Sequence, residues 1–195
     1  MKYKSVNFSI NTGIAFFLLL FTCANCSIKG SFQGLYSYYD KTKLKAPNLI
    51  QKPTLPLCNL IQQDTPVIFA INGIDLKDCV KNFEKSVVYI WKPKCSSEIC
   101  ISPKELQRFC DTKNIELFIV AEYYDYGNMT LNFPTKRPIF GVDCQYYSSH
   151  LTKKYISMFL SDLIDRKTQY QENQFYLFNY GCLLDMSNSL ETLKI

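Results

Sequence analysis

The chain has 195 residues, enough for one domain of ordinary size. Hydrophobic residues make up 47% and charged residues 20%, which excludes an intrinsically disordered chain and fits a packed core. The formal net charge is +5, but Lys and Arg are scattered rather than clustered, so no nucleic-acid partner is expected.

The N-terminus carries its own pattern. Lys2 and Lys4 precede "GIAFFLLLF", residues 13–21, an apolar run too short to span a bilayer. A basic start followed by such a run predicts a secretory signal peptide over 1–22. Leu20-Phe21-Thr22 before Cys23 resembles a bacterial lipobox. Leu20 stands where that motif carries Leu; Thr22 stands where it carries Gly, Ala or Ser. Cys23 is therefore the expected lipid-attachment residue, with Cys26 as the alternative and a non-lipidated export signal as the plain reading. Lipidation implies a bacterial cell-envelope protein anchored to the membrane through its N-terminal lipid, periplasm-facing or on the outer membrane. Disulfides persist there. The remaining cysteines are Cys26, Cys58, Cys79, Cys95, Cys100, Cys110, Cys144 and Cys182, and spacing alone leaves their pairing open.

Residues 23–56 are polar and rich in Tyr and Lys, with Pro47, Pro53 and Pro56. No helical or alternating pattern shows there, which predicts a tether, with partial ordering against the domain left open, and the folded domain over 57–195. "PVIFAI", 66–71, predicts a strand, and Asn72-Gly73 a turn. Leu76, Cys79, Val80 and Phe83 then fall on one helix face. "SVVYIW", 86–91, is apolar enough to predict a central strand buried on both sides. Ser102-Pro103-Lys104-Glu105 is a capping-box start with Pro at the first helical position. That helix, with Leu106, Phe109 and Cys110 on its apolar face, is expected to end near Asn114. "IELFIVAEYY", 115–124, predicts a second buried strand, followed by a loop with Gly127 and Pro134.

"RPIFGV", 137–142, predicts a short edge strand, because Pro138 cannot donate to a ladder. A helix follows, with Leu151, Tyr155, Met158, Phe159 and Leu163 on one side. "FYLFNY", Gly181 and "CLLDM" predict an antiparallel hairpin, and "SNSLETLKI" a short closing helix. Two strands joined by a helix are expected to lie parallel through a right-handed crossover. The fold class is α/β, a mixed central sheet with helices on both faces.

The element order from residue 87, with "VVYIW" running into "KPKCSSEIC" and the late hairpin "FYLFNYGCLLD", resembles the thioredoxin-like fold. Together with the lipobox-like start, the chain is similar to small envelope lipoproteins of thioredoxin-like type. The resemblance implies a redox pair, Cys95 attacking and Cys100 resolving, with a protein thiol or disulfide as partner. The family carries C-x-x-C; here four residues separate the cysteines. The capping box places both ahead of the helix whose dipole stabilises the family's thiolate. The family also has a cis-proline before its third core strand. Asn173 and Gln174 stand there, and a non-proline peptide is expected to be trans. A structural Cys95–Cys100 disulfide in a non-catalytic scaffold, with a tyrosine-rich binding face, is the other reading.

Cys79 and Cys110 are expected in the core, and Cys144 and Cys182 stay open. With one His, His150, and no C-x-x-C pair within the expected folded domain, 57–195, neither a metal nor a cofactor is expected. His150 is expected to be an ordinary surface residue at a helix start, and "NMT", 128–130, to carry no glycan in a bacterial lipoprotein. Asp125, after the second strand, is expected near the cysteine edge of the sheet.

Overall fold

The structure, a computed structural model, describes residues 34–95, 97, 100–132, 135–167 and 173–195. The expected signal peptide, Cys23, Cys26 and the first part of the expected tether lie outside the described residues.

The apolar, β-branched and aromatic runs become strands of one mixed sheet. They are β1 (Ile50–Gln51), β2 (Ile68–Ile71), β3 (Lys85–Trp91), β4 (Glu116–Ala121), β5 (Phe140–Val142), β6 (Phe175–Asn179) and β7 (Cys182–Ser187). Across the sheet they follow the order β1-β2-β5-β4-β3-β6-β7. The first five positions in that order are parallel, whereas β6 runs antiparallel to β3 and β7 to β6. Ser86–Trp91 and Leu117–Ala121 are buried throughout, which is why these strands are apolar at every position rather than at alternate ones. Their pairing runs from Ser86↔Glu116 to Trp91↔Ala121, so the carboxyl ends of β3 and β4 are level.

Helices cover this sheet: α1 (Tyr39–Lys45), α2 (Gly73–Val80), α3 (Pro103–Thr112), α4 (Tyr126–Leu131) and α5 (Thr152–Ile164), with a 3-10 turn at Leu57–Asn59. The crossover from β2 through α2 to β3 passes over β5 and β4 in one direction. The next, from β3 through α3 to β4, comes back. Right-handed crossovers then put α2 and α3 on opposite faces. α5 packs beside α2. Their contact is close at Gly73, where a Cβ would stand 2.2 Å from the Phe159 carbonyl oxygen.

Several expectations change. Asn72-Gly73 is a helix start and not a turn: the Asn72 side chain caps α2 by accepting from Asp75 N. The described part of the expected tether is folded, since Ile50 pairs with Ile68 and Tyr39, Leu49 and Ile50 are buried. It satisfies its backbone groups on the domain, with Ser37 N donating to the His150 carbonyl and Ile68 N to the Leu49 carbonyl. β5 is an inner strand, between β2 and β4. Pro138 precedes it, so its missing N–H costs no ladder bond. The buried face of α5 is Tyr155, Ile156, Phe159, Leu160 and Leu163, while Leu151 and Met158 are exposed. No closing helix forms over 187–195. Asp185 accepts from Lys194 N, and Ser187 and Ser189 bond Thr192, so local side-chain bonds hold turns in its place.

Candidate functional site

β3 ends at Trp91, and the chain turns at once: Cys95 N donates to the Lys92 carbonyl. Tyr123, just past β4, accepts from Lys94 N through its hydroxyl at 3.1 Å. The Lys94 ammonium pairs with Asp125 at 3.0 Å. Asp125 thus lies beside the cysteine loop, and its other oxygen caps α4 by accepting from Asn128 N. Burial alone would raise the Asp125 carboxyl pKa, but these hydrogen bonds and the Lys94 charge hold it below the usual range.

Cys95 and Cys100 form a disulfide with Cα atoms 6.0 Å apart, both half-buried. Ser97 Oγ lies 3.4 Å from Cys95 Sγ and 3.1 Å from Cys100 Sγ. Cys100 N donates to the Ser97 carbonyl, closing the turn before the helix. Tyr89, buried in β3, donates its hydroxyl to the Ile101 carbonyl and ties the loop's exit to the sheet.

The helix itself starts at Pro103. Ser102 accepts from Glu105 N, and the Glu105 carboxylate reaches back to Ser102 N at 3.2 Å. The hydroxyl hydrogen bond from Ser102 holds the Glu105 carboxyl below its usual pKa. The positive end of α3 is therefore occupied by the helix's own glutamate. Cys100 lies two residues before that cap, outside the helix's first turn, where the dipole's effect fades.

Across the sheet, the Asn173–Gln174 peptide is trans. Gln174 spends its backbone inside the sheet: its carbonyl accepts from Ile90 N at 2.7 Å and its N–H donates to the Ser187 carbonyl at 3.0 Å. Neither group is left to pair with an extended chain. Its side-chain Oε1 is buried without a hydrogen-bond partner.

The other described cysteines divide three ways. Cys79 is buried as expected, but it is bonded to Cys58 and is not a core thiol; the Cα atoms are 5.2 Å apart. Nothing in the spacing pointed to that pair. Cys110 is a free thiol fully buried on the inner face of α3, and burial pushes its pKa up to about 12. Cys182 is free and exposed at the start of β7. Cys144 is free and buried just past β5. His150 is exposed, yet its ring is engaged: Nδ1 lies 3.0 Å from Ser37 Oγ and 3.8 Å from Cys144 Sγ, and Nε2 lies 3.9 Å from Asp40. That cluster escaped the sequence reading because Ser37 and Asp40 lie in the supposed tether.

A polar cleft of about 630 Å³ opens elsewhere, over the Cys58–Cys79 disulfide, with Lys52, Asp75, Asp143 and Tyr146 around it. Lys52 pairs there with the buried Asp143 at 3.0 Å. Among the described residues no group of three or more His, Cys, Asp or Glu is placed to hold a metal ion. No helix among them is long and apolar enough to cross a membrane.

No family model matches the chain, and no curated protein or solved structure is significantly similar to it.

Proposed function

We propose that the chain is a lipid-anchored protein of the bacterial envelope whose domain, thioredoxin-like in arrangement, serves as a non-catalytic scaffold stapled by Cys95–Cys100. One observation carries the reading: the α3 capping box occupies the helix end that would otherwise stabilise a thiolate. The trans peptide at Gln174, with its backbone already paired, supports it. So do the parallel β3–α3–β4 unit and the antiparallel β6–β7 hairpin, which match the element order that carried the resemblance. The anchor rests on the apolar run 13–21 and Cys23.

A second reading keeps support from position. The Cys95–Cys100 disulfide lies at the carboxyl end of a buried parallel strand and is half-exposed, within reach of a partner thiol. In that reading Cys95 is attacked by, or attacks, a protein partner and Cys100 resolves the mixed disulfide.

Two measurements separate them. A staple should hold a reduction potential below about −300 mV, as structural disulfides do. Purified protein should then reduce insulin no faster than Cys95→Ser. A potential in the oxidoreductase range, with turnover lost in Cys95→Ser, would replace the scaffold reading with the catalytic one. Separately, radiolabelled lipid should enter the wild type and not Cys23→Ala. Release of the native protein without detergent would remove the anchor.

A further inference from the structure

Cys144 follows β5 at the carboxyl end of the parallel strands. At that end the crossovers change face between β4 and β5, since α3 and α5 cover opposite faces. A crevice at such a switch point is where open α/β sheets place their reactive groups. In this chain it is covered. Residues 35–45 lie across it, held by Ser37 N to the His150 carbonyl, Tyr124 N to the Ser37 carbonyl and Thr152 N to the Leu35 carbonyl, each between 2.8 and 3.0 Å. Tyr39 packs edge-on against Tyr124, with centroids 5.2 Å apart, and Thr42 donates to the Tyr124 carbonyl. Cys144 has no exposed surface beneath.

The covering segment also engages the chain's single His, which lies beside the thiol. His150 Nδ1 lies 3.0 Å from Ser37 Oγ and 3.8 Å from Cys144 Sγ. The nearer one belongs to the segment. Asp40, facing Nε2, belongs to it as well. Closed, the segment buries the sulfur and occupies its imidazole. Lifted, it would free both together.

We infer that residues 35–45 form a strap gating Cys144, and that opening the strap leaves Cys144 as a thiol nucleophile with His150 as its base, open to attack on disulfide electrophiles. In the open form the Cys144 proton passes to His150 Nδ1. The thiolate attacks one sulfur of the disulfide, a Cys144 mixed disulfide forms, and the other sulfur leaves as a thiolate. No further oxidant is needed. Burial raises the Cys144 pKa in the closed form, in keeping with an inert closed state. The gate is independent of what the Cys95–Cys100 pair does.

The chain contains its own controls. Cys110 is equally buried but lies on the inward face of α3, on the face of the sheet opposite α5, so it reports global unfolding; Cys182 is exposed and reports probe activity. The full-length protein would be treated with DTNB at neutral pH and each thiol followed by peptide mass mapping. Cys144 should react at least about tenfold faster than Cys110, because local opening costs less than global unfolding. Ser37→Ala, a mild change, and Tyr39→Ala, a stronger one, should each speed Cys144 about tenfold or more and leave Cys110 unchanged. His150→Gln added to Ser37→Ala should slow Cys144 again. Equal rates for Cys144 and Cys110 in every protein would overturn the strap. A Cys144 rate indifferent to His150→Gln would overturn the base. Each variant is read against its own Cys110, so lost stability alone cannot mimic the result.

Discussion

Glu116 shows how one side chain decides between two interactions of unequal worth. It opens β4 with its side chain about 10% exposed, and it receives both Lys136 and Arg137. Lys136 is 62% exposed, so its bridge contributes little. Arg137 is different: it is largely buried, donates to the Cys58 carbonyl at 3.0 Å, and lies over the Phe83 and Phe118 rings. Removing the carboxylate would leave that guanidinium without its counter-charge. Glu116→Gln should therefore cost about 2 kcal/mol at neutral pH. Burial alone would push the Glu116 pKa up, but the hydrogen bonds from Lys136 and Arg137 outweigh it and hold the folded-state value below the ordinary one. A depressed carboxyl pKa means stabilisation present above the unfolded-state value and lost as pH falls through the folded-state value. Urea unfolding of wild type and Glu116→Gln should thus differ most at neutral pH and converge as pH falls through the depressed folded-state value. A difference that grew on acidification would show that the carboxylate is not the source.

Between elements, the contact of α2 with α5 turns on a single missing methyl. Gly73 is the first residue of α2, and on propensity alone Ala there would stabilise by up to about 1 kcal/mol. The packing reverses that sign. A Cβ would meet the Phe159 carbonyl oxygen at 2.2 Å and Leu163 N at 2.9 Å, backbone atoms of α5 that cannot rotate away. Gly73 N also donates to the Tyr147 hydroxyl, which donates in turn to Asp162 on α5. Gly73→Ala should lower stability by about 3 kcal/mol, at the upper end of overpacking costs. A neutral or stabilising effect in thermal unfolding would mean the helices move apart freely.

The same pair of helices shows what the sequence can carry. The hydrophobic period placed α2 and α5, and the S-x-x-E pattern placed the start of α3 at Ser102 because a capping box is a local chemical fact. The buried runs of β3 and β4 were legible for the same reason. Tertiary choices were not. Asn72-Gly73 has two local uses, and only contact with α5 selects the cap over the turn. α1 and β1 have no pattern of their own and are held by bonds to distant residues such as His150 and Ile68. In the candidate site, the place of Cys95 and Cys100 before the helix cap could be read from the sequence. The Cys58–Cys79 bond and the Ser37–His150–Cys144 cluster could not, since each joins segments remote in the chain.

For the molecule as a whole, the two disulfides constrain the unfolded chain unequally. Cys58 and Cys79 are 21 residues apart, Cys95 and Cys100 only five. Loop-closure entropy then assigns about 3 kcal/mol to the first and about 2 kcal/mol to the second, before any difference in the folded state. The folded state widens the gap. Cys58–Cys79 fastens the turn at Leu57–Asn59 onto α2, and Cys79 is buried in the core cluster, whereas Cys95–Cys100 closes a half-exposed loop. Stability under reduction should therefore follow the first bond. Reductant should lower the urea midpoint of the wild type most, since both bonds break, and that of the Cys95→Ala, Cys100→Ala double variant by the larger share of that shift. It should move the Cys58→Ala, Cys79→Ala double variant less than either, by the equivalent of no more than about 2 kcal/mol, and that variant should already sit about 3 kcal/mol below wild type. If reductant instead shifted that variant as far as it shifts the wild type, the short loop would be the element holding the domain together, and the staple at Cys95–Cys100 would be the structural bond of the fold.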